Sequence, residues 1–157
     1  MVEDGGAVDR GAVEAIFIAD VHEMLPSPFD EVEAIPGAGL RGDRHYDEAP
    51  SEEPGRDLTL IEAEAIEGMA AENGISIEPA EARRNVLTRG VDLNSLVGRR
   101  FTVGEIECRG VELCEPCRHL ESLTRPGVLR GLVHRGGLRA DILNPGRIRV
   151  GDPVAPL

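Results

Sequence analysis

The sequence predicts an α+β fold that is mostly β, a barrel of short strands carrying a few short helices. Three observations lead there. Short stretches rich in β-branched and aromatic residues recur along the chain, punctuated by 19 Gly and 11 Pro in 157 residues. Only one segment, ahead of Gly74, has apolar residues at the spacing of a substantial helix. No stretch repeats and no linker is long enough to divide the chain. Residues 1–157 are therefore expected to form one domain, with residues 1–11 as a loose, glycine-rich and acidic start.

The first strand is expected at Val13-Glu14-Ala15-Ile16-Phe17-Ile18-Ala19. Pro26-Ser27-Pro28 interrupts the chain, and Val32-Glu33-Ala34-Ile35 reads as a second short strand. Gly37 to His45 is a glycine-punctuated loop without the Gly-Lys-Ser/Thr ending of a phosphate-cradling loop. It reads either as an ordinary tight turn or as a loop whose Arg44 and His45 line a pocket. Residues 47–56 follow as an acidic surface loop, and Leu58-Thr59-Leu60 then feeds the helix. Thr59 and Glu62 have the spacing of a capping box. Ala63, Ile66, Met69 and Ala70 fall on one helical face, and Gly74 marks the stop.

After Pro79, an extended run opens at Arg83-Arg84-Asn85 and continues through Val86-Leu87-Thr88-Arg89. Leu93 to Gly98 suits one helical turn. Phe101-Thr102-Val103, a turn at Gly104-Glu105, and the alternating run from Ile106 to Leu113 read as a hairpin with a bulge at Gly110. A further short helix is expected within residues 126–134, ended by Gly136-Gly137. Strands at 138–143 and 147–150 follow, joined by Asn144-Pro145-Gly146, and Gly151-Asp152-Pro153 forms the last turn.

Composition excludes several classes of function. With 41% hydrophobic residues the chain is not of disordered composition, and no apolar run approaches the ~20 residues of a membrane helix. No charged-then-apolar leader opens it, and three cysteines do not make a disulfide framework, so a soluble cytoplasmic protein is expected. The net charge is −12, and every basic residue is arginine. Residues 1–82 carry 21 acids against 4 arginines, whereas residues 83–157 carry 8 acids against 13 arginines. The acidic half is most simply a solvated face of the kind that maintains solubility in high salt. Neither nucleic acid nor membrane is expected as a partner: the field repels phosphate backbones, and 3% aromatics supply no stacking platform. A small anionic ligand held by the arginine forks of the second half fits the pattern.

The chemistry concentrates in Val111-Glu112-Leu113-Cys114-Glu115-Pro116-Cys117-Arg118-His119-Leu120. It reads as a strand, a corner, and a helix opening at Pro116, which would put Cys117 in the first turn, where free N–H groups favour a thiolate. Arg118 and His119 would add to that effect, and His119, two residues from the sulfur, is the best-placed histidine; His22 has no supporting context. Two other readings of the cysteines stay open. Cys114, Cys117 and His119, with Cys108 or His134 as a fourth ligand, would make a zinc-stabilised module without catalytic function, although structural zinc more often uses two separated pairs. Cys114 and Cys117 would equally serve a thiol oxidoreductase, although the βαβ setting of that motif is not evident. Cys108, in mid-strand, suits the core.

Gly39-Leu40-Arg41-Gly42-Asp43-Arg44-His45, Leu60-Ile61-Glu62, Arg83-Arg84-Asn85, Leu96-Val97-Gly98, Glu115-Pro116-Cys117 with Leu120, Arg135-Gly136-Gly137-Leu138 and Gly151-Asp152 occur in the order seen in MOSC domains. Over roughly residues 12–154 the chain resembles the C-terminal domain of molybdenum cofactor sulfurases and the molybdenum-binding part of amidoxime-reducing enzymes. The pyridoxal-phosphate domain and the extra N-terminal barrel of larger relatives lie outside the resemblance. It implies a MOSC-type β-barrel that binds a pyranopterin molybdenum cofactor. Cys117 would ligate molybdenum or carry sulfur as a persulfide, a soft thiolate suiting a soft metal centre. Arg44, His45, Arg84, Asn85 and Arg135 would hold the cofactor's phosphate and pterin, with Cys117 and His119 as the catalytic pair. The implied activity is reduction of N-hydroxylated compounds or sulfur transfer, with a small-molecule substrate and an electron- or sulfur-donor protein as partners. Cys114, beside the family cysteine, leaves a resolving-thiol role open.

Overall fold

Alternation of side chains along each strand decides which face of the sheet turns inward. In the first strand, β1 (Gly11–Ile18), Val13, Ile16 and Ile18 are buried toward one core while Phe17 points to another. The computed structural model describes residues 11–20, 25–47 and 53–157. His22, most of the expected loose start and part of the acidic loop lie outside the described residues.

The remaining strands are β2 (Ser27–Phe29), β3 (Glu31–Ile35), β4 (Gly39–Leu40), β5 (Leu58–Glu62), β6 (Val86–Arg89), β7 (Arg100–Val103), β8 (Ile106–Leu113), β9 (Leu138–Ile142), β10 (Gly146–Arg149) and β11 (Pro153–Pro156). Seven of them run in the order β11, β7, β8, β9, β5, β6, β1, and β11 pairs back with β1 to close a barrel. The fold is mostly β, with three short α-helices among the described residues: α1 (Ala63–Asn73), α2 (Arg118–Leu123) and α3 (Val128–Gly131). Leu58, Leu60, Phe101, Leu138 and their neighbours fill the barrel interior. A second apolar core lies outside it, where Phe17, Ile61 and Leu87 on the barrel's outer face meet Ile66 and Met69 of α1 and Leu120, Val128 and Leu132.

Closure depends on β1 changing partners along its length. Gly11 and Ala12 pair with β11, Ala12 to Ile16 with β6, and Ile16 to Ile18 with β2. β3, β4 and β10 form a separate small sheet. The chain from β5 through α1 to β6 is a parallel crossover, so a βαβ unit is present, although the cysteine turn follows β8 and lies outside it.

Most expected elements are found, including the bulge: the β8 register shifts between Gly110 and Glu112. Gly110 sits there because a Cβ would run into the Leu96 carbonyl. Four expectations are corrected. The Thr59–Glu62 capping box does not form, because β5 runs through Glu62 and the helix starts at Ala63. Thr59 instead donates its hydroxyl to Asn85 Oδ1 (3.1 Å), and the Glu62 carboxylate accepts the Leu93 N–H (2.9 Å). A capping box is present elsewhere, between Glu78 and Glu81. Ala65, not Ala70, completes the fully buried face of α1, while Gly74 ends it in the left-handed conformation as expected.

The third correction concerns the cysteine turn. Pro116 is not the first helical residue: α2 begins at Arg118, and Cys117 is its N-cap residue with extended backbone (φ −137°, ψ 172°) and no side-chain bond to the helix. Cys117 therefore stands one position before the first turn in which it was expected, and its side chain makes no capping bond. Fourth, Pro26-Ser27-Pro28 does not merely interrupt the chain, and the Gly151-Asp152 turn, which forms as expected, leads into a strand that was not expected. Ser27–Phe29 is an edge strand and Pro153–Pro156 is the closing one. Proline is tolerated at an edge and at the start of a strand, where no ladder donor is required.

Candidate functional site

The cavity that matters lies on the outer face of the barrel, because outward-facing residues of four neighbouring strands line up there. Arg139 of β9 is the register partner of Thr59 on β5. Thr59 is tied to Asn85, just before β6, by three hydrogen bonds: its N–H and hydroxyl donate to Asn85 Oδ1 (3.2 and 3.1 Å), and its oxygen accepts the Asn85 N–H (3.0 Å). Asn85 in turn accepts the Phe17 N–H on its carbonyl (2.7 Å) and donates Nδ2 to the Phe17 carbonyl (3.3 Å). Arg139, Thr59, Asn85 and Phe17 thus form one row across the sheet. At about 4.8 Å per strand the row spans about 14 Å.

Above this row is a cavity of about 310 Å³, near the lower end of the roughly 300–1,000 Å³ of small-molecule sites. Five arginines line it, namely Arg44, Arg56, Arg83, Arg84 and Arg139, against Asp43 and Asp57. The two carboxylates are committed to the backbone. Asp43 accepts the Ala19 and His45 N–H groups (3.1 and 3.3 Å), and buried Asp57 accepts those of Gly37 and Ile142 (both 3.0 Å). With His45 neutral the lining carries a formal charge of +3 inside a chain of −12.

The arginines differ in what they are free to do. Arg84 donates Nε to the Gly136 carbonyl (2.9 Å), Nη1 to that of Ala82 (3.3 Å) and Nη2 to those of Cys114 and Glu115 (3.0 and 3.5 Å). Its fork braces the cysteine turn more than it faces a ligand. Arg83 is presented by a left-handed backbone (φ 61°), a costly conformation for a non-glycine residue that is found at functional sites more often than elsewhere. Arg44 sits at the β1 end, where its N–H donates to the Ala19 carbonyl (2.7 Å) and its Nε to His45 Nε2 (3.2 Å).

Arg135, expected at the cofactor, is elsewhere. Its guanidinium donates to the Gly131 carbonyl (2.8 Å) and Asn73 Oδ1 (3.3 Å), pairs with Glu72 (3.2 Å), and packs on Gly68 of α1. The helix holds it away from the cavity. Of the expected residues, Arg44, His45, Arg84 and Asn85 come together, and Arg135 does not.

Cys114, not Cys117, is in the cavity wall. It is buried, and its N–H donates to the Gly137 carbonyl (2.7 Å). Cys117 is exposed three residues further on, so its Cα lies within about 11 Å of that wall by chain length alone. His119 is exposed on the first turn of α2. Cys108 is fully buried, and burial, with Asp57 and Asp141 nearby, pushes its thiol up to about 12. All three thiols are free. Among the described residues no three His, Cys, Asp or Glu side chains converge as a metal site, so Cys114, Cys117 and His119 do not supply the zinc ligand set.

The turn is held from below and from the side. Gly136 packs so closely that a Cβ would stand 2.6 Å from the Cys114 carbonyl oxygen and 2.8 Å from Pro116 Cδ. The Glu115 carboxylate accepts the His134 N–H (2.8 Å) and contacts its Nδ1 (2.9 Å), while Asn94 donates to the His134 carbonyl (2.8 Å). The His134 N–H, and then its ring, hold the Glu115 carboxyl below the usual carboxylate range.

The family model for the MOSC domain matches residues 45–155. The chain belongs to the MOSC family. Solved structures agree on the MOSC fold. The YuaD protein from Bacillus subtilis has a TM-score of 0.78 at 20% identity, over 92% of this chain and 94% of that one. YiiM from Escherichia coli gives 0.67 at 18% identity, over 94% and 69%. YiiM from Geobacillus stearothermophilus gives 0.69 at 13%, over 94% and 75%. No curated protein matches the chain. Sequence reasoning missed Arg56, which no motif marks, and Arg139, which follows directly on the Arg135-Gly136-Gly137-Leu138 motif without belonging to it; they reach the MOSC cavity through the pairing of β5 with β9.

Proposed function

We propose that this MOSC protein binds a pyranopterin molybdenum cofactor in the outer-face cavity and presents Cys117 to it, as a molybdenum ligand or as a carrier of persulfide sulfur. One observation carries the reading: a cavity of net positive charge, in a strongly acidic chain, is walled by the turn that leads directly to an exposed cysteine. The residues fit the group. Guanidinium forks suit a phosphate, Asn85 and Thr59 hold one another as a fixed floor, and among the described residues no protein cluster competes for the metal, which would arrive with its own ligands and gain one thiolate.

The cofactor, when bound, would supply two-electron redox chemistry or sulfur exchange at its metal. The chain's own residues do the rest. Arg44 and His45 grip the anionic end beside β1, Arg83 closes on it, and Asn85 keeps the floor in register. Arg84 and Gly136 fix the turn so that Cys117 stays extended and accessible. The substrate would be an N-hydroxylated compound, or a sulfur donor and acceptor pair, with electrons or sulfur delivered by a separate protein.

The test is metal and pterin analysis of chain purified from a cofactor-making host. Wild type and Cys114→Ser are expected to carry molybdenum and Cys117→Ser to lose it; equal molybdenum in wild type and Cys117→Ser removes the ligand assignment. Intact-mass measurement then reads the sulfur arm, since a persulfide adds one sulfur to wild type and none to Cys117→Ser.

A further inference from the structure

The cavity has two cationic ends, and the cofactor reading gives a role to only one of them. Arg44 and His45 stand beyond β1, at one end of the row. Arg139 stands at the other, about 14 Å away by strand spacing. That second end is also the end of the cysteine turn: Cys114 donates to Gly137, and Arg139 follows two residues later on β9. Arg56 joins it, because its neighbour Gly55 packs against Arg139, where a Cβ on Gly55 would stand 3.2 Å from Arg139 Cβ.

Both side chains are loosely held. Arg56 meets Glu53 at 3.8 Å and Arg139 meets Glu112 at 3.7 Å, and those glutamates are 70% and 65% exposed. Arg89 with Glu14 at 2.6 Å and Arg125 with Glu81 at 2.9 Å show the closer pairing that a firmly held arginine makes in this molecule. Long ion pairs to exposed partners contribute little and are readily exchanged for a better acceptor. Two forks converging on one cavity end make a two-point grip for a planar or tetrahedral anion.

We propose that Arg56 and Arg139 recognise an anionic group, a carboxylate or a phosphate, on the substrate that approaches the Cys117 end, so that the substrates of this protein are acids rather than neutral or cationic compounds. The word substrate rests on the cofactor reading, but the anion site itself does not.

The experiment measures binding of inorganic phosphate and, in a separate arm, acetate to the full chain by calorimetry, at constant ionic strength in chloride. Molybdenum and pterin contents are determined on the same preparations. The Arg56→Gln/Arg139→Gln double variant is expected to bind the preferred probe at least about tenfold more weakly, as for loss of one charge-assisted contact. Its molybdenum and pterin contents stay at the wild-type level. Glu112→Gln, which releases Arg139 at an exposed position, is expected to bind the probe more tightly. The tighter probe in wild type names the anion class. No binding of either probe to wild type overturns the proposal, and so does unchanged affinity in the double variant. Loss of molybdenum or pterin in the double variant also overturns it, because the two arginines would then be holding the cofactor. If wild type itself carries no molybdenum, the cofactor reading fails, while weakened probe binding in the double variant still supports the anion site.

Discussion

Replacing Arg84 by Met separates bracing from ligand binding. The guanidinium makes two well-formed bonds, to Gly136 at 2.9 Å and Cys114 at 3.0 Å, and longer ones to Ala82 at 3.3 Å and Glu115 at 3.5 Å. Bonds from a charged donor are each worth about 1.5–3 kcal/mol when buried. The site is half-buried and water can reach the abandoned carbonyls, so the two good bonds together are worth about 2–3 kcal/mol. For a chain of this size that lowers the unfolding midpoint by about 5–10 °C. Thermal unfolding by circular dichroism reads the midpoint, and amide exchange at Cys114, whose N–H is held by Gly137, reads the turn itself. Arg84→Lys keeps the charge but not the fork and is expected to fall between wild type and Met. If Arg84 were chiefly a ligand, Met would relieve repulsion among five crowded arginines, and the midpoint would hold or rise. An unchanged midpoint with unchanged exchange refutes the brace.

Thiol reactivity should follow burial. At pH 8 a maleimide is expected to label Cys117 within minutes, Cys114 slowly, and Cys108 only on unfolding, because the last is fully buried with its thiol pushed up to about 12; peptide mass spectrometry assigns the sites, and equal rates at Cys108 and Cys117 refute the packing. Glu115 gives the pH dependence. Its carboxyl is lowered from 4.5 by the His134 N–H and ring, so its stabilising contribution is complete above that value and disappears as the pH falls below it. Protection of the His134 amide, the intrinsic exchange rate over the observed rate at the same pH, should fall in that acid range in wild type, and be low and independent of pH in Glu115→Ala. Gly136→Ala puts a methyl 2.6 Å from the Cys114 carbonyl and should cost about 3 kcal/mol or more, seen as a lowered urea midpoint; a wild-type midpoint would show that the turn can move aside.

What the sequence made legible was local. Gly74 stops α1 through a left-handed residue, and Gly110 makes a bulge, because each acts on its own backbone. The barrel was readable from strand length and punctuation, yet β11 was not: nothing beyond the Gly151-Asp152-Pro153 turn signals a strand in Pro-Val-Ala-Pro, and burial of Val154 between β7 and β1 makes it one. Arg44, His45, Arg84 and Asn85 were found as motif residues and do meet. Arg135 has the same chemistry but a different neighbour, since the small Gly68 lets its guanidinium lie along α1. Arg56 carries no local signal and Arg139 only adjoins a motif; 83 residues separate them, and a ladder between β5 and β9 brings them together. Residue type could be read position by position, but convergence could not.

The pairing of Ala12 with Pro153 brings the first described strand and the last one side by side. A chain joined from residue 157 to residue 11 by a short flexible bridge, and reopened at exposed Gly74, would keep every ladder of the barrel while moving its ends to the far side of α1. Such a rearranged polypeptide would leave the arginine row and the cysteine turn untouched, which makes the scaffold one into which a sensor or a donor protein could be spliced without entering the cavity.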